Sequence, residues 1–167
     1  MSFSMIFFGV NVTLLLIVWW FALQWYVMPT VRRLPLAQGL QPILLLHMTR
    51  ANGAGFLIAG VVSADLPLSM AGPAAYGDLL AALLAFIALL ALRNRWSSAM
   101  IMLWLFNIVG FADLLNVMRL VVVNNVDPGQ LGSMYLIVVA IVPGLLLTHI
   151  EVFRILLHHK IDTSVAS

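Results

Sequence analysis

Apolar residues run through this chain in five long stretches, at about residues 5–28, 40–62, 73–92, 97–123 and 133–157. Inside each stretch polar residues are too sparse to form the solvated stripe of an amphipathic surface helix. At 1.5 Å of rise per residue, each stretch is long enough to cross a hydrocarbon layer about 30 Å thick. Lipid offers no partner to a backbone N–H or C=O, so the stretches are predicted to be helices. The breaks carry ordinary helix punctuation: Pro29 and Pro35, then Pro67 and Pro73, then Asp127-Pro128-Gly129. The pattern predicts an all-α transmembrane bundle of five helices in a single domain, residues 1–167. The first stretch has neither the basic start nor the small-residue cleavage site of a secretory signal peptide, and reads as a retained span.

Composition sharpens this picture. Hydrophobic residues make up 63% of the chain and charged residues 8%, where a soluble domain has about 25% charged. This excludes a soluble enzyme domain, a disordered tail and a nucleic-acid binder. No basic run exceeds Arg32-Arg33, so a stripe for tracking phosphates is missing and the expected partner is the lipid bilayer. There is no cysteine, which excludes disulfides, thiol catalysis and iron–sulfur ligation.

The few charges alternate between the breaks. Arg32 and Arg33 follow the first stretch, Asp65 alone follows the second, and Arg93 and Arg95 follow the third. Asp127 is alone after the fourth, and Lys160, with His158 and His159, follows the fifth. Basic residues favour the cytoplasmic side, which puts the N-terminus outside and the C-terminus in the cytoplasm. Aromatics fit the same arrangement, with Trp25, Tyr26 and Trp96 at the inner interface and Tyr76 and Tyr135 at the outer one. Arg119 lies near the outer interface, where its long side chain can snorkel to water.

The remaining polar residues lie inside the stretches, where a charge at mid-bilayer costs about 2.5–3.5 kcal/mol and therefore needs a partner or a role. Counting rise along ideal helices gives two layers. An inner layer holds His47 and His149, with Glu151 and Arg154 just below. A central-to-outer layer holds Arg50, Asp78, Asn107 and Asp113. Arg50 can extend toward either aspartate. Such an ion pair serves either as an interhelical clamp or as a proton or substrate site, because two carboxylates against one guanidinium leave a negative charge.

His47 and His149 stand at matched depth on different helices, the arrangement that axial ligation of a b-type haem needs, with Arg50, Arg154 and Arg32/Arg33 as candidates for its propionates. The plainer alternative is that each imidazole bonds a carbonyl or a carboxylate. No third strong ligand stands nearby, so no metal site is expected. Pro143-Gly144, near the middle of the fifth stretch, predicts a helix kink. Small residues mark close helix contacts at Ala51, Gly53, Ala54 and Gly55, and at Gly77, Ala81 and Ala85. They place the second and third stretches at the heart of the bundle. The first stretch is the most lipid-like, and Asn11-Val12-Thr13 within it reads as a chance glycosylation sequon.

Four segments, LLLHMTRANG (44–53), AAYGDLLAALLA (74–85), LFNIVGFADLL (105–115) and VPGLLLTHIEVFRIL (142–156), together resemble a group of small, uncharacterised bacterial integral membrane proteins. The resemblance extends over nearly the whole chain. It implies a bacterial cytoplasmic membrane and singles out His47, Arg50, Asp78, Asn107, Asp113 and His149, but brings no activity with it. No nucleophile–base pair or glycine-rich phosphate loop is visible and the connections are short, so the reading leans away from an enzyme. The leading function is binding or moving a small ligand or proton through the buried His/Arg/Asp network. The alternatives are a b-haem electron carrier using His47 and His149, and a structural or assembly subunit of a homo-oligomer or membrane complex.

Overall fold

The computed structural model describes residues 3–165, with side chains through residue 158. The side chains of His159 and Lys160 therefore lie outside the described residues. Four helices are long and apolar enough to cross a membrane. They are α1 (Phe3–Arg33), α3 (Leu68–Arg93), α4 (Ala99–Val123) and α5 (Met134–Val165). Between α1 and α3 lies a composite fifth element. It has a single turn at Leu36–Gly39, the short α-helix α2 (Gln41–Met48) and a 3-10 segment, Thr49–Leu57.

The composite element corrects the expectation of one continuous helix over 40–62. The α-helical hydrogen bonding stops at Met48 and tightens to 3-10. The sequence of that segment, TRANGAGFL, carries Gly53 and Gly55, each of which disfavours an α-helix by about 1 kcal/mol relative to alanine. Burial explains the tightening. His47, Arg50, Gly53 and Phe56 are all buried, and their spacing is three residues, the repeat of a 3-10 helix. On an α-helix the first and last of them would face directions about 180° apart. The steeper 3-10 rise of about 2.0 Å per residue also offsets the lost length. Gln41–Leu57 then covers about 30 Å, as much as a 20-residue α-helix.

α1 bends through a π-helical turn at Leu23–Val27. Pro29 has no N–H to give Trp25, and a widened turn just before it accommodates that missing bond. Between Phe3 and Ala22 the helix has no buried residue, which suits contact with lipid. It lies against α5. Gly144 admits the Trp19 ring, whose nearest carbon would stand 2.5 Å from a Cβ there. The Trp19 Nε1–H donates to the Ala140 carbonyl at 2.7 Å. α5 continues as α-helix through Pro143, and Gly144 beside it forms a seat for the indole.

The centre of the bundle is α3. An alanine seam, with Ala74, Ala81, Ala85 and Ala88 fully buried, lets α2, the 3-10 segment and α4 approach it closely. The connections gather at two opposite ends. At one end the Ser133 N–H donates to the Val61 carbonyl at 2.8 Å, and the Ser63 N–H to the Gln130 carbonyl at 3.0 Å. The Ser4 hydroxyl donates to Asp127 at 2.8 Å at the same end. At the other end Arg32 from α1 meets Glu151 from α5 at 3.5 Å. The two are called here the acidic end and the basic end, after Asp65 and Asp127, and after Arg32, Arg33, Arg93 and Arg95.

Candidate functional site

Arg50 sits on the 3-10 segment with a fully buried side chain, and each of its three nitrogens is used. Nε donates to Asp78 Oδ1 of α3 at 2.7 Å. Nη2 donates to Asp113 Oδ2 of α4 at 2.5 Å. Nη1 donates to the Gly110 carbonyl of α4 at 3.0 Å. The guanidinium fork thus ties three elements together, in the planar, multi-donor geometry that distinguishes arginine from lysine. The carboxylates keep some access to the surface, with side-chain exposures of 19% for Asp78 and 11% for Asp113. Glycines make room for them. A Cβ on Gly53 would collide with the Asp78 carboxylate, and one on Gly77 with that of Asp113.

One level toward the basic end, the rings of His47 and His149 lie 4.2 Å apart at an angle of 51°. His47 Nε2 is 2.9 Å from the Thr148 hydroxyl. That hydroxyl also lies within reach of the Gly144 and Leu145 carbonyls, at 2.9 Å each. His149 Nδ1 is 2.7 Å from Asn107 Oδ1, and Asn107 Nδ2 donates to the His149 carbonyl at 3.1 Å. Asn107 therefore belongs with the histidines, not in the arginine layer that its depth on an ideal helix suggested. Phe106 packs against both imidazoles at 5.0 and 5.2 Å. His47 Nδ1 and His149 Nε2 are buried with no hydrogen-bond partner.

The two layers meet at Gly110. A Cβ there would stand 2.8 Å from His149 Nε2 and 3.1 Å from Arg50 Nη1. The bare glycine is what lets the unpartnered imidazole nitrogen lie beside the guanidinium.

The geometry does not fit a haem between these histidines. Metal–nitrogen bonds of about 2 Å on both sides of an iron would hold the ring centroids about 6 Å apart. The observed 4.2 Å leaves no room for a macrocycle, and His47 Nε2 already faces Thr148.

A third polar group closes the basic end. Glu151 is 2% exposed. Its Oε1 accepts from Gln24 Nε2 at 2.9 Å and from Arg154 Nη1 at 2.7 Å, and Arg32 Nη2 stands 3.5 Å from Oε2. Gln24 lies in the π turn of α1. Sequence reasoning missed Thr148, Gly110 and Gln24 as members of these networks. Thr148 adjoins His149 in the sequence, but only the course of α5 shows that it bonds the other histidine. Arg119 lies apart from the network, with its guanidinium on Asn116 of its own helix.

Residues 7–157 match the family described as "Domain of unknown function (DUF8737)", and the chain belongs to that family. No curated protein and no solved structure matches the chain.

Proposed function

We propose that this member of the family crosses a bacterial cytoplasmic membrane five times, N-terminus outside and C-terminus inside, and moves protons through its buried polar layers. Four long apolar helices support the membrane setting. The composite element supports a fifth crossing, because its two ends lie with opposite sets of connections. The gathering of arginines at one end supports the orientation.

One observation carries the functional reading. His47 Nδ1 and His149 Nε2 are buried without partners. An unmet buried donor or acceptor costs about 1–3 kcal/mol, and both lie on rings in contact with each other. A water entering between the layers would supply the missing partner to both rings and a path for a proton between them. Beyond them stands the Arg50–Asp78–Asp113 group, which carries a net charge of −1 when both carboxylates are ionised and 0 when one holds a proton. Groups of this kind, in chains inside membrane helices, are how protons are relayed. Glu151, at the basic end, provides a carboxylate on the cytoplasmic side of the histidines.

Purified protein in liposomes carrying a pH-sensitive dye tests this reading. Under an imposed potential the wild type should carry a proton flux well above that of empty liposomes. Asp113→Asn and His149→Gln should each reduce it at least tenfold while retaining helical circular dichroism. Wild-type liposomes no leakier than empty ones would end the proposal. The use of all three Arg50 nitrogens by α3 and α4 favours a second reading, a packing clamp that fixes the 3-10 segment within the bundle. Under that reading the Asp113→Asn protein is destabilised but its flux equals that of the wild type.

A further inference from the structure

The basic end holds a cavity of about 610 Å³, between the end of α1, the turn at Leu36–Gly39 and the turns of α5 at 151–158. Its walls are apolar, formed mainly by Leu34, Leu36 and Ile155, and its polar lining is Arg32, Arg154 and Glu151, with His158 beside them. We infer that this cavity binds the phosphodiester headgroup of an anionic membrane lipid.

The charges are arranged for it. Glu151 lies buried at the base and holds one nitrogen from each of two guanidiniums. Their side chains are 59% and 53% exposed. Arginine carries five N–H donors, so each fork keeps donors for a ligand after its contact with Glu151. The shared carboxylate also keeps the two forks close together, which suits two-point recognition of one phosphate. Two arginines and one carboxylate sum to +1, which a phosphodiester of charge −1 balances.

The surroundings favour a lipid over free phosphate. The apolar walls have no use for a small hydrated anion but match a glycerol backbone and the start of an acyl chain. Trp25 and Tyr26, 63% and 74% exposed on the same end of α1, are residue types that settle at the headgroup level. Basic pockets between helices on the cytoplasmic side are a recurring form of lipid headgroup site. Glu151 also excludes a second negative charge, so a diester fits better than a doubly charged monoester. In a zwitterionic lipid the headgroup's own cation would crowd the arginines.

This inference rests on the membrane reading and not on proton movement, and its test is blind to flux. Protein in a neutral detergent would be titrated with dioleoyl phosphatidylglycerol, with dioleoyl phosphatidylcholine or with inorganic phosphate, while thermal unfolding is followed by tryptophan fluorescence. Phosphatidylglycerol should raise Tm by several degrees and bind at least tenfold more tightly than phosphatidylcholine. Arg32→Gln should remove most of that preference. Leu34→Glu, a change at an exposed wall residue, should remove it too without lowering the Tm measured without lipid. A shift by inorganic phosphate alone that Arg32→Gln abolishes would retain the phosphate site and assign its ligand to the free anion. Equal shifts by the two lipids, or a full preference in both variants, would overturn the inference. Failure of the protein to enter phosphatidylcholine liposomes would instead count against the membrane reading itself.

Discussion

Replacing Arg50 with methionine keeps most of the side chain's volume and removes only the fork. What remains is a pair of carboxylates, Asp78 and Asp113, that have lost their common cation and face each other across α3 and α4. Two magnitudes compete here. Neutral interhelical hydrogen bonds in membrane proteins average only about 0.6 kcal/mol, so three of them would sum to roughly 2 kcal/mol. Removing one partner of a buried ion pair costs about 3–5 kcal/mol, because the other charge is left uncompensated. The carboxylates are 19% and 11% exposed, which lets water relieve some of that penalty and favours its lower end. The expectation is a loss of about 3 kcal/mol for Arg50→Met.

The origin of that loss can be separated from packing. If it comes from stranded charge, changing both aspartates to asparagine in the Arg50→Met background should restore most of it. The triple variant should stand within about 1 kcal/mol of wild type, as uncharged replacements of buried ion groups often do. The assay is reversible unfolding in mixed micelles at rising dodecyl sulfate fraction, read by the intrinsic fluorescence of the five tryptophans. An Arg50→Met loss below about 1 kcal/mol would refute the reasoning. So would a triple variant as unstable as the single one.

Gly110→Ala adds a methyl 2.7 Å from His149 Cε1 and 3.1 Å from Arg50 Nη1, and overpacking of this kind costs about 1–3 kcal/mol in the same unfolding assay. Since it forces the histidine and arginine layers apart, it should also reduce proton flux, whereas Gly9→Ala, with open space around it, should change neither. Gly132→Ala should cost about 1–3 kcal/mol, because Gly132 has φ +53° and its Cβ would collide with the Val61 carbonyl oxygen; an unchanged midpoint would refute this. The absence of native cysteine makes single-cysteine mapping clean. In intact cells a membrane-impermeant maleimide should label Ala64→Cys from outside and label Ser97→Cys only after the membrane is opened, and the reverse pattern would invert the proposed topology.

The element boundaries were legible wherever lipid-compatible sequence runs unbroken. Helices at Leu68–Arg93, Ala99–Val123 and Met134–Val165 overlap the apolar stretches closely, because backbone satisfaction in hydrocarbon leaves a long apolar run few alternatives. The buried Arg50, Glu151 and histidines were legible too, since a charge or an imidazole within such a run stands out against its neighbours, whereas the equally buried Thr148 did not. Their partners were harder to read. Depth alone puts Arg50 near the two aspartates, and depth depends on the rise assumed for each helix. Asn107 stands with the histidines for a related reason: only the approach of α5 to α4 shows that its amide pairs with His149. Glycine roles were legible only as general closeness, because what Gly110 admits, an imidazole and a guanidinium together, depends on two other elements.

The second stretch shows how the missed geometry and the site are one problem. Its polar and small residues, His47, Arg50 and Gly53, recur every three positions, and Phe56 continues the series. On an α-helix such a column winds around the axis by about 60° per step, so His47 and Phe56 could not both face α3 and its neighbours. One of two outcomes follows: either part of the column turns to lipid, or the backbone tightens until the repeat is three. An Arg50 facing lipid would forfeit two ion pairs, and Gly53 turned outward would leave the Asp78 carboxylate without its seat. The nine residues of 3-10 helix, far longer than the usual three or four, are held in place by those contacts. Loss of the Arg50 clamp therefore removes the reason for the tight winding. In the Arg50→Met variant the segment is free to relax toward α-helix, shortening by about 0.5 Å per residue. That change would rotate His47 away from His149. Fluorophores on exposed Leu45 and Leu57, one before the segment and one at its end, should report the shortening as a changed transfer efficiency. An unchanged efficiency in Arg50→Met would mean that the glycines alone set the 3-10 winding.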